Sequence, residues 1–121
     1  MVTRLNWIKP EDGRHGFNLM TLDVAGQHFD DMVGIYVIWH GGSYPWTVRV
    51  GQGVVRDRLG KHRIDPDILK YKDLGLNVSW VKVGSQDERD NIEAYLANVL
   101  DPKVGKRFPD KSGKPVNAPW N

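Results

Sequence analysis

The sequence predicts an α+β domain in which a mainly antiparallel sheet of three strands is flanked by helices. Two short apolar runs joined by a glycine-rich turn indicate a β-hairpin. A third strand-like run is followed by a long segment whose apolar residues recur at helical spacing. A sheet covered by helices is the arrangement that buries all of these apolar faces. The length of 121 residues indicates a single domain spanning residues 1–121.

The first part of the chain has weak structural signals. Residues 1–16 are polar and contain Pro10 and Gly13, which predicts an irregular lead-in. Phe17–Val24 is a candidate for a short edge strand.

The hairpin is the clearest β signal. Val33–Trp39 is apolar on both alternating faces, as expected of a central, covered strand. Gly41–Ser43 has the composition of a tight turn. The second strand carries apolar residues at alternate positions: Trp46, Val48 and Val50. Thr47 and Arg49 alternate with them, so Arg49 is predicted to point away from the face that these apolar residues fill.

Two helices and one more strand follow. Val54–Arg63 is predicted to be a short helix limited by Pro66, with three residues on one face: Val55, Leu59 and His62. Val78–Val83 is predicted to be the third strand. Ser85 and Glu88 have capping-box spacing at the start of the long helix.

An apolar stripe runs along this long helix: Ile92, Tyr95, Leu96, Val99 and Leu100. Glu93 lies at the margin of the stripe, and Pro102 marks the end of the helix. Lys103–Asn121, rich in Lys, Pro and Gly, is predicted to be a loop tail.

The amino-acid composition excludes several classes of site and of protein. The absence of cysteine excludes a disulfide scaffold, a thiolate zinc site and a cysteine nucleophile. A net charge of +2 is compatible with a nucleic-acid partner but does not by itself indicate one. Nothing resembles a signal peptide or a membrane span, so we expect a cytoplasmic protein without a membrane partner. A monomer is compatible with these features.

Several short motifs occur in an order typical of one enzyme superfamily. Gly34–Tyr36 lies on the first hairpin strand, and Arg49–Gly51, followed by Gln52-Gly53, lies on the second. Further matching positions fall on the helices and the tail: Arg58, His62, Glu93 and Asn117. Together these residues resemble the GIY-YIG nuclease superfamily, whose members are small α+β domains that hydrolyse DNA with one divalent metal ion.

The resemblance implies a set of roles. Glu93 would bind Mg²⁺ or Mn²⁺, since a hard cation prefers carboxylate oxygen. Arg58 would bind phosphate through its forked donors. Tyr36 would orient or deprotonate the attacking water, helped by His62, which titrates near neutrality. Because an ordinary phenol is a poor base, nearby cations such as Arg49 would have to lower its pKa. Asn117 would orient a ligand or water.

Each residue also has an ordinary structural interpretation. Glu93 could be a solvated helix residue paired with Arg89, and Arg58 could be a surface arginine. Tyr36 and His62 could be core residues with satisfied hydrogen bonds, and Asn117 could serve a turn. The remaining histidines have no ligand spacing and are interpreted as structural or exposed: His15, His28 and His40. Three tryptophans are assigned to the core, although an exposed one could stack on an unpaired base: Trp46, Trp80 and Trp120.

Arg49 is the main departure from the family pattern, which has a tyrosine at this position. Arginine cannot accept a proton, so Arg49 either holds a phosphate or marks a domain that has lost catalysis. Tyr44 in the preceding loop could supply a replacement phenol. Three functions therefore stay open: a metal-dependent endonuclease, an inactive nucleic-acid-binding module of the same fold, and a protein-interaction domain.

Overall fold

The computed structural model describes residues 2–42, 46–105 and 113–121. Over these residues the fold is α+β, with one fully antiparallel sheet. Its four strands are β1 (Phe17–Asn18), β2 (Val33–His40), β3 (Thr47–Val54) and β4 (Leu76–Lys82). The strand order is β1-β4-β2-β3, so β2 and β4 are central and β3 lies at an edge. The predicted class is confirmed, whereas the predicted count of three strands is wrong by one.

The additional strand is much shorter than the candidate segment Phe17–Val24. After Asn18 the chain turns, because the Asn18 side-chain oxygen accepts a hydrogen bond from the Met20 amide at 2.9 Å. The Asn18 carbonyl also accepts from the amide of Leu22 at 3.0 Å. These bonds withdraw the backbone from the sheet, so β1 pairs with β4 over two residues only.

Within the described ranges, three α-helices accompany the sheet: α1 (Val55–His62), α2 (Pro66–Leu69) and α3 (Gln86–Leu100). Short 3-10 turns cover Gln27–Phe29 and Lys72–Leu74. The predicted cap of α3 is confirmed, since the Ser85 hydroxyl accepts from the Glu88 amide. Pro66 limits α1 as predicted, but it also begins α2, which the sequence pattern did not indicate.

The sheet separates two apolar clusters. One cluster joins α1 and α2 to the sheet through a set of fully buried residues: Tyr36, Ile38, Val48, Val55, Leu59, Ile68, Val78 and Trp80. The other packs α3 and the two chain ends on the opposite face: Trp7, Ile35, Val37, Val50, Val81, Val83, Ile92, Leu96 and Val116. Helices α1 and α3 therefore lie on opposite sides of the sheet.

Strand β3 does not alternate as its sequence predicts. The register between β2 and β3 shifts after Ile38, where Arg49 pairs with Ile38 and Thr47 pairs with Trp39. Val48 is the extra residue of this β-bulge, which interrupts the alternation of side chains. Val48 consequently packs in the α1 cluster and Val50 in the α3 cluster. The prediction that Val48 and Val50 share one face, with Arg49 opposite both, is wrong.

The two ends of the chain pack against each other. Thr3 forms a parallel bridge with Val116, and Ile8 bridges to Trp80 of β4. Val116 and Trp7 are buried, so parts of the predicted irregular lead-in and tail contribute to the core. No helix in the described ranges is long and apolar enough to cross a membrane.

Candidate functional site

A polar cavity of about 310 Å³ opens beside edge strand β3. It is lined by residues from both sides of the sheet: Tyr36, Arg49, Gly51, Gln52, Gly53, Arg58, Gln86 and Glu93. Four of the six residues predicted from the sequence therefore meet here, namely Tyr36, Arg49, Arg58 and Glu93. His62 joins them through a hydrogen bond to Tyr36.

Gly51 makes room for the Tyr36 hydroxyl. The two residues are direct partners across β2 and β3, and a Cβ added at Gly51 would overlap the phenol oxygen and ring. A residue with a side chain at this position would displace the phenol. Packing therefore explains the glycine at position 51 without reference to catalysis.

We expect Gly51→Ala to destabilise the fold by about 1–3 kcal/mol, the typical cost of overpacking a filled site. Urea denaturation measures the effect. Gly60→Ala is the matched control, because a Cβ at Gly60 meets no atom within 4 Å and favours the helix. A smaller loss for Gly51→Ala in a Tyr36→Phe background would locate the clash at the hydroxyl, whereas an unchanged midpoint for Gly51→Ala would contradict the overlap.

Tyr36 and His62 form a buried pair. The phenol oxygen lies 2.5 Å from Nε2 of His62. Burial lowers the pKa of His62 to about 4, and the positive charges of Arg49 and Arg58 add to the shift. At neutral pH the imidazole is therefore uncharged, and its Nε2 can accept the hydrogen bond that the phenol donates.

The pKa of Tyr36 is raised rather than lowered. Burial is the largest cause, and it outweighs the opposing effects of Arg49 and Arg58. The expectation that Arg49 would depress the phenol pKa is correct in direction but insufficient in size. Tyr36 is therefore a neutral hydrogen-bond donor in the protein alone.

The depressed pKa of His62 predicts a pH-dependent stability. The unfolded chain takes up a proton near pH 6.5 and the folded protein only near pH 4. Stability should therefore fall as pH decreases through this window, by on the order of 3 kcal/mol for a shift of this size. Glu93 acts in the opposite direction, because its raised pKa favours the folded state on protonation.

Denaturation of the wild type and of His62→Gln at a series of pH values isolates this contribution. The amide does not titrate, so the difference between the two proteins should change between pH 6.5 and 4 and be constant above pH 6.5. Because Glu93 is present in both proteins, its effect largely cancels. If the free energy of unfolding changed with pH equally in the wild type and His62→Gln, the pKa of His62 would not be lowered in the folded protein.

Two guanidinium groups give the cavity its positive charge. Arg49 is half-buried, and its Nε is buried without a hydrogen-bond partner among residues 2–42, 46–105 and 113–121. Arg58 is exposed on α1 and passes over Gly53. Like charges in one cavity repel unless an anion lies between them. The arrangement is therefore suited to binding a phosphate group.

Glu93 brings a buried carboxylate to the cavity from α3. Its side chain accepts a hydrogen bond from Nε2 of Gln52 at 3.2 Å. Burial is the largest cause of its raised pKa, to which Asp90 also contributes. The alternative pairing with Arg89 is absent from the ion pairs of the described residues. Arg89 instead donates to the carbonyls of Val83 and Gly84.

Gln52 organises this side of the cavity, a role that sequence inspection missed. Its Nε2 donates to Asp90 at 2.6 Å and to Glu93 at 3.2 Å. Its Oε1 accepts from Gln86 at 3.0 Å and from Arg89 at 3.1 Å. The only signal in the sequence was its position beside Gly51 and Gly53. Four side chains of α3 are thus oriented by one amide on β3.

Glu93 is the one carboxylate in the described lining of the cavity, so a divalent cation held there would take most of its ligands from other oxygen atoms. No cluster of three or more His, Asp or Glu side chains suited to a metal occurs within the described ranges. Glu93 is nevertheless a buried carboxylate whose charged form is disfavoured by burial and by Asp90. A hard cation would relieve both effects while keeping water and phosphate oxygens as its other ligands.

Asn117 does not line the cavity. Its Oδ1 accepts from the Leu5 amide at 2.6 Å and its Nδ2 donates to the Leu5 carbonyl at 3.1 Å. The Trp7 indole also donates to the Asn117 carbonyl at 2.9 Å. The described contacts of Asn117 therefore fasten the tail to the lead-in.

The other predicted residues have varied environments. Trp80 is buried as predicted, but Trp46 is 44% exposed, so its assignment to the core is wrong. His15 and His28 are exposed, whereas His40 is buried and stacks on Tyr71. Tyr44 lies outside the described residues.

Comparison with known proteins gives no further assignment. No protein-family model, no curated protein and no solved structure matches this chain.

Proposed function

We propose that this protein is a metal-dependent endonuclease of the GIY-YIG type that hydrolyses nucleic-acid phosphodiester bonds, with DNA as the expected substrate. The proposal is carried by one observation, the meeting of Tyr36, Arg49, Arg58 and Glu93 around one polar cavity. A phosphodiesterase needs a proton acceptor, a cationic phosphate site and a carboxylate for a metal ion. The cavity offers Arg49 and Arg58 for the phosphate and Glu93 for the ion, and it reaches His62 as the proton acceptor through Tyr36.

In this mechanism Arg49 and Arg58 bind the oxygens of the scissile phosphate. Arg58 is suited to bidentate contacts, and Arg49 contributes a second guanidinium group to the same cavity. Both guanidinium groups border the cavity in the absence of substrate. Entry of the anionic phosphate also separates two positive charges that otherwise repel.

Tyr36 and His62 move the proton of the attacking water. As the phenol oxygen accepts a proton from water, it passes its own proton to Nε2 of His62, which lies 2.5 Å away. Burial and two arginines oppose the imidazolium that results. The negative charge of the bound phosphate offsets this cost, so proton transfer is coupled to substrate binding.

Glu93 would hold the divalent cation, Mg²⁺ or Mn²⁺, with Gln52 fixing the orientation of its carboxylate. When bound, such an ion stabilises the negative charge that develops on the phosphate oxygens.

An inactive nucleic-acid-binding module is the second candidate. It is favoured by Arg49 at a position where the family has tyrosine, and by the raised pKa of Tyr36. Such a module would use the same two arginines to bind phosphate without cutting.

Nicking of supercoiled plasmid with Mg²⁺ or Mn²⁺, with a chelator control, separates these functions. The endonuclease converts supercoiled plasmid to open circles only when a divalent ion is present. A protein that binds DNA at low salt without nicking it would be the inactive module. A protein that neither cuts nor binds nucleic acid would refute both and favour a protein-interaction domain.

A further inference from the structure

Arg89 is a buried cation whose hydrogen bonds go to neutral oxygen atoms. Its side chain lies on α3, and the residue is only 8% exposed. Nη1 donates to the carbonyls of Val83 and Gly84, at 2.9 and 2.8 Å. Nη2 donates to Oε1 of Gln86 at 2.8 Å, and Nε donates to Oε1 of Gln52 at 3.1 Å. Arg89 forms no ion pair with any of the described residues.

The amide of Gln52 lies between Arg89 and two carboxylates. Its Oε1 accepts from Arg89, whereas its Nε2 donates to Asp90 at 2.6 Å and to Glu93 at 3.2 Å. An amide has two N–H donors and two acceptor positions, and all four are used here because Gln86 also donates to Oε1 at 3.0 Å. A reversed amide would turn its donors towards the guanidinium and its oxygen towards the carboxylates. Arg89 therefore fixes the orientation of the amide.

We propose that Arg89 is a positioning residue for the divalent-metal site, acting on Glu93 through Gln52. The inference rests on the metal site of the proposed function and extends that site to a residue that does not line the cavity. The carbonyls of Val83 and Gly84, between β4 and α3, anchor the guanidinium. Gln52 in turn directs an N–H group at the Glu93 carboxylate. Outer partners of this kind orient metal ligands and tune the affinity for the ion.

The intervening amide also preserves the charge of the carboxylate. A guanidinium paired directly with Glu93 would offset the negative charge that a divalent cation requires. Gln52 donates from a neutral group instead, so Glu93 is oriented without losing its charge. The buried arginine thus contributes rigidity to the metal site, and its own charge is bound by the oxygens of amides and of the backbone.

Binding of Mn²⁺ alone to the protein, measured from the electron paramagnetic resonance signal of the free ion, tests the inference without cleavage. Loss of a positive charge near a cation site should by itself strengthen Mn²⁺ binding. If Arg89 acts through Gln52, Arg89→Met should instead weaken Mn²⁺ binding about 10-fold, within the range for partners that orient metal ligands. Gln52→Leu changes no charge and should weaken binding by a similar factor. The double variant should bind no more weakly than the weaker single variant, because both residues act along one path.

Arg56→Met is the matched control. Arg56 is also an arginine that donates to backbone carbonyls, those of Val24 and Gly26, but it lies on α1 and does not line the cavity. The substitution removes one positive charge and comparable hydrogen bonds, so Mn²⁺ binding should equal or exceed that of the wild type. Thermal midpoints without metal measure stability separately from Mn²⁺ affinity.

Unchanged or tighter Mn²⁺ binding by Arg89→Met would overturn the inference, as would additive losses in the double variant or an equal loss in Arg56→Met. If Arg89→Met does not fold, Gln52→Leu decides, and an unchanged Mn²⁺ affinity of that variant would overturn the inference. A wild type that binds no Mn²⁺ would do the same.

The plasmid assay keeps this inference separate from the nuclease proposal. If both substitutions weaken Mn²⁺ binding but the wild type never nicks plasmid, the positioning role stands and the nuclease is refuted. If the wild type nicks plasmid while Arg89→Met and Gln52→Leu bind Mn²⁺ as tightly as the wild type, the nuclease stands and the positioning role is refuted.

Discussion

Glu93→Gln is expected to lower the metal-dependent nicking rate roughly 10²–10³-fold, the usual effect of losing one charge-stabilising group at a reaction centre. The amide keeps the size of the side chain, and its oxygen can still accept the hydrogen bond from Gln52. It cannot supply the negative charge that a divalent cation requires. Nicking rates at several metal concentrations measure the loss.

The same substitution should not lower the stability of the fold. Burial raises the pKa of Glu93, which means that the surroundings disfavour the carboxylate form. A neutral amide therefore leaves the thermal midpoint unchanged or raises it. Glu88→Gln is the control for nicking, because Glu88 is exposed in the first turn of the same helix and pairs with Lys114 away from the cavity. Equal nicking by Glu93→Gln and the wild type would contradict the proposal that Glu93 binds the metal ion.

The helices could be predicted from the sequence because their signals are local. The buried face of α1 consists of the three residues that the spacing indicated: Val55, Leu59 and His62. The start of α3 follows from Ser85, whose capping bond involves only a neighbouring turn. Such contacts depend on residues a few positions apart, and a sequence pattern records them directly.

The orientation of β3 could not be predicted, because a β-bulge depends on how two strands pair. Alternation in the sequence assigns Val48 and Val50 to one face, and a single extra residue separates them. The bonds of Gln52 to Asp90 and Glu93 likewise span 38 and 41 residues. Neither feature has a local signature, so both emerge only from the assembled fold.

The pKa of Tyr36 illustrates the same limit for electrostatics. The sequence indicates which cations lie near the phenol, and Arg49 and Arg58 do act on it in the expected direction. It does not indicate the extent of burial, which is the larger cause. The sequence therefore predicted that the arginines lower the pKa of Tyr36. It did not predict that burial of the phenol raises the net pKa.

Packing between strands explains the glycine at position 34, the first residue of the Gly34–Tyr36 motif. A Cβ at Gly34 would overlap the backbone carbonyl of Val81 on the neighbouring strand β4. The close approach of two central strands thus requires glycine here whether or not the domain cuts nucleic acid. The catalytic interpretation consequently depends on the charged residues of the cavity, and Arg58 offers the most direct test of it.

Arg58→Ala is expected to lower the nicking rate roughly 10²–10³-fold, because it removes a cationic donor from the proposed phosphate site. Binding to DNA should weaken similarly for all sequences, and the slope of log affinity against log salt should flatten by about one phosphate contact. Arg58→Lys should not restore the rate, since an ammonium group lacks the forked geometry.

Lys61→Ala provides the matched control for charge, because Lys61 is an exposed cation on the same helix and does not line the cavity. Both alanine variants lose one positive charge, so any difference between them reports on position. Arg58 is itself exposed, and its removal should leave the thermal midpoint near that of the wild type. If Arg58→Ala and Lys61→Ala change the rate and the salt slope equally, Arg58 contributes only general surface charge. A loss of nicking rate and of salt slope that occurs only in Arg58→Ala would instead indicate that the cavity binds the phosphate.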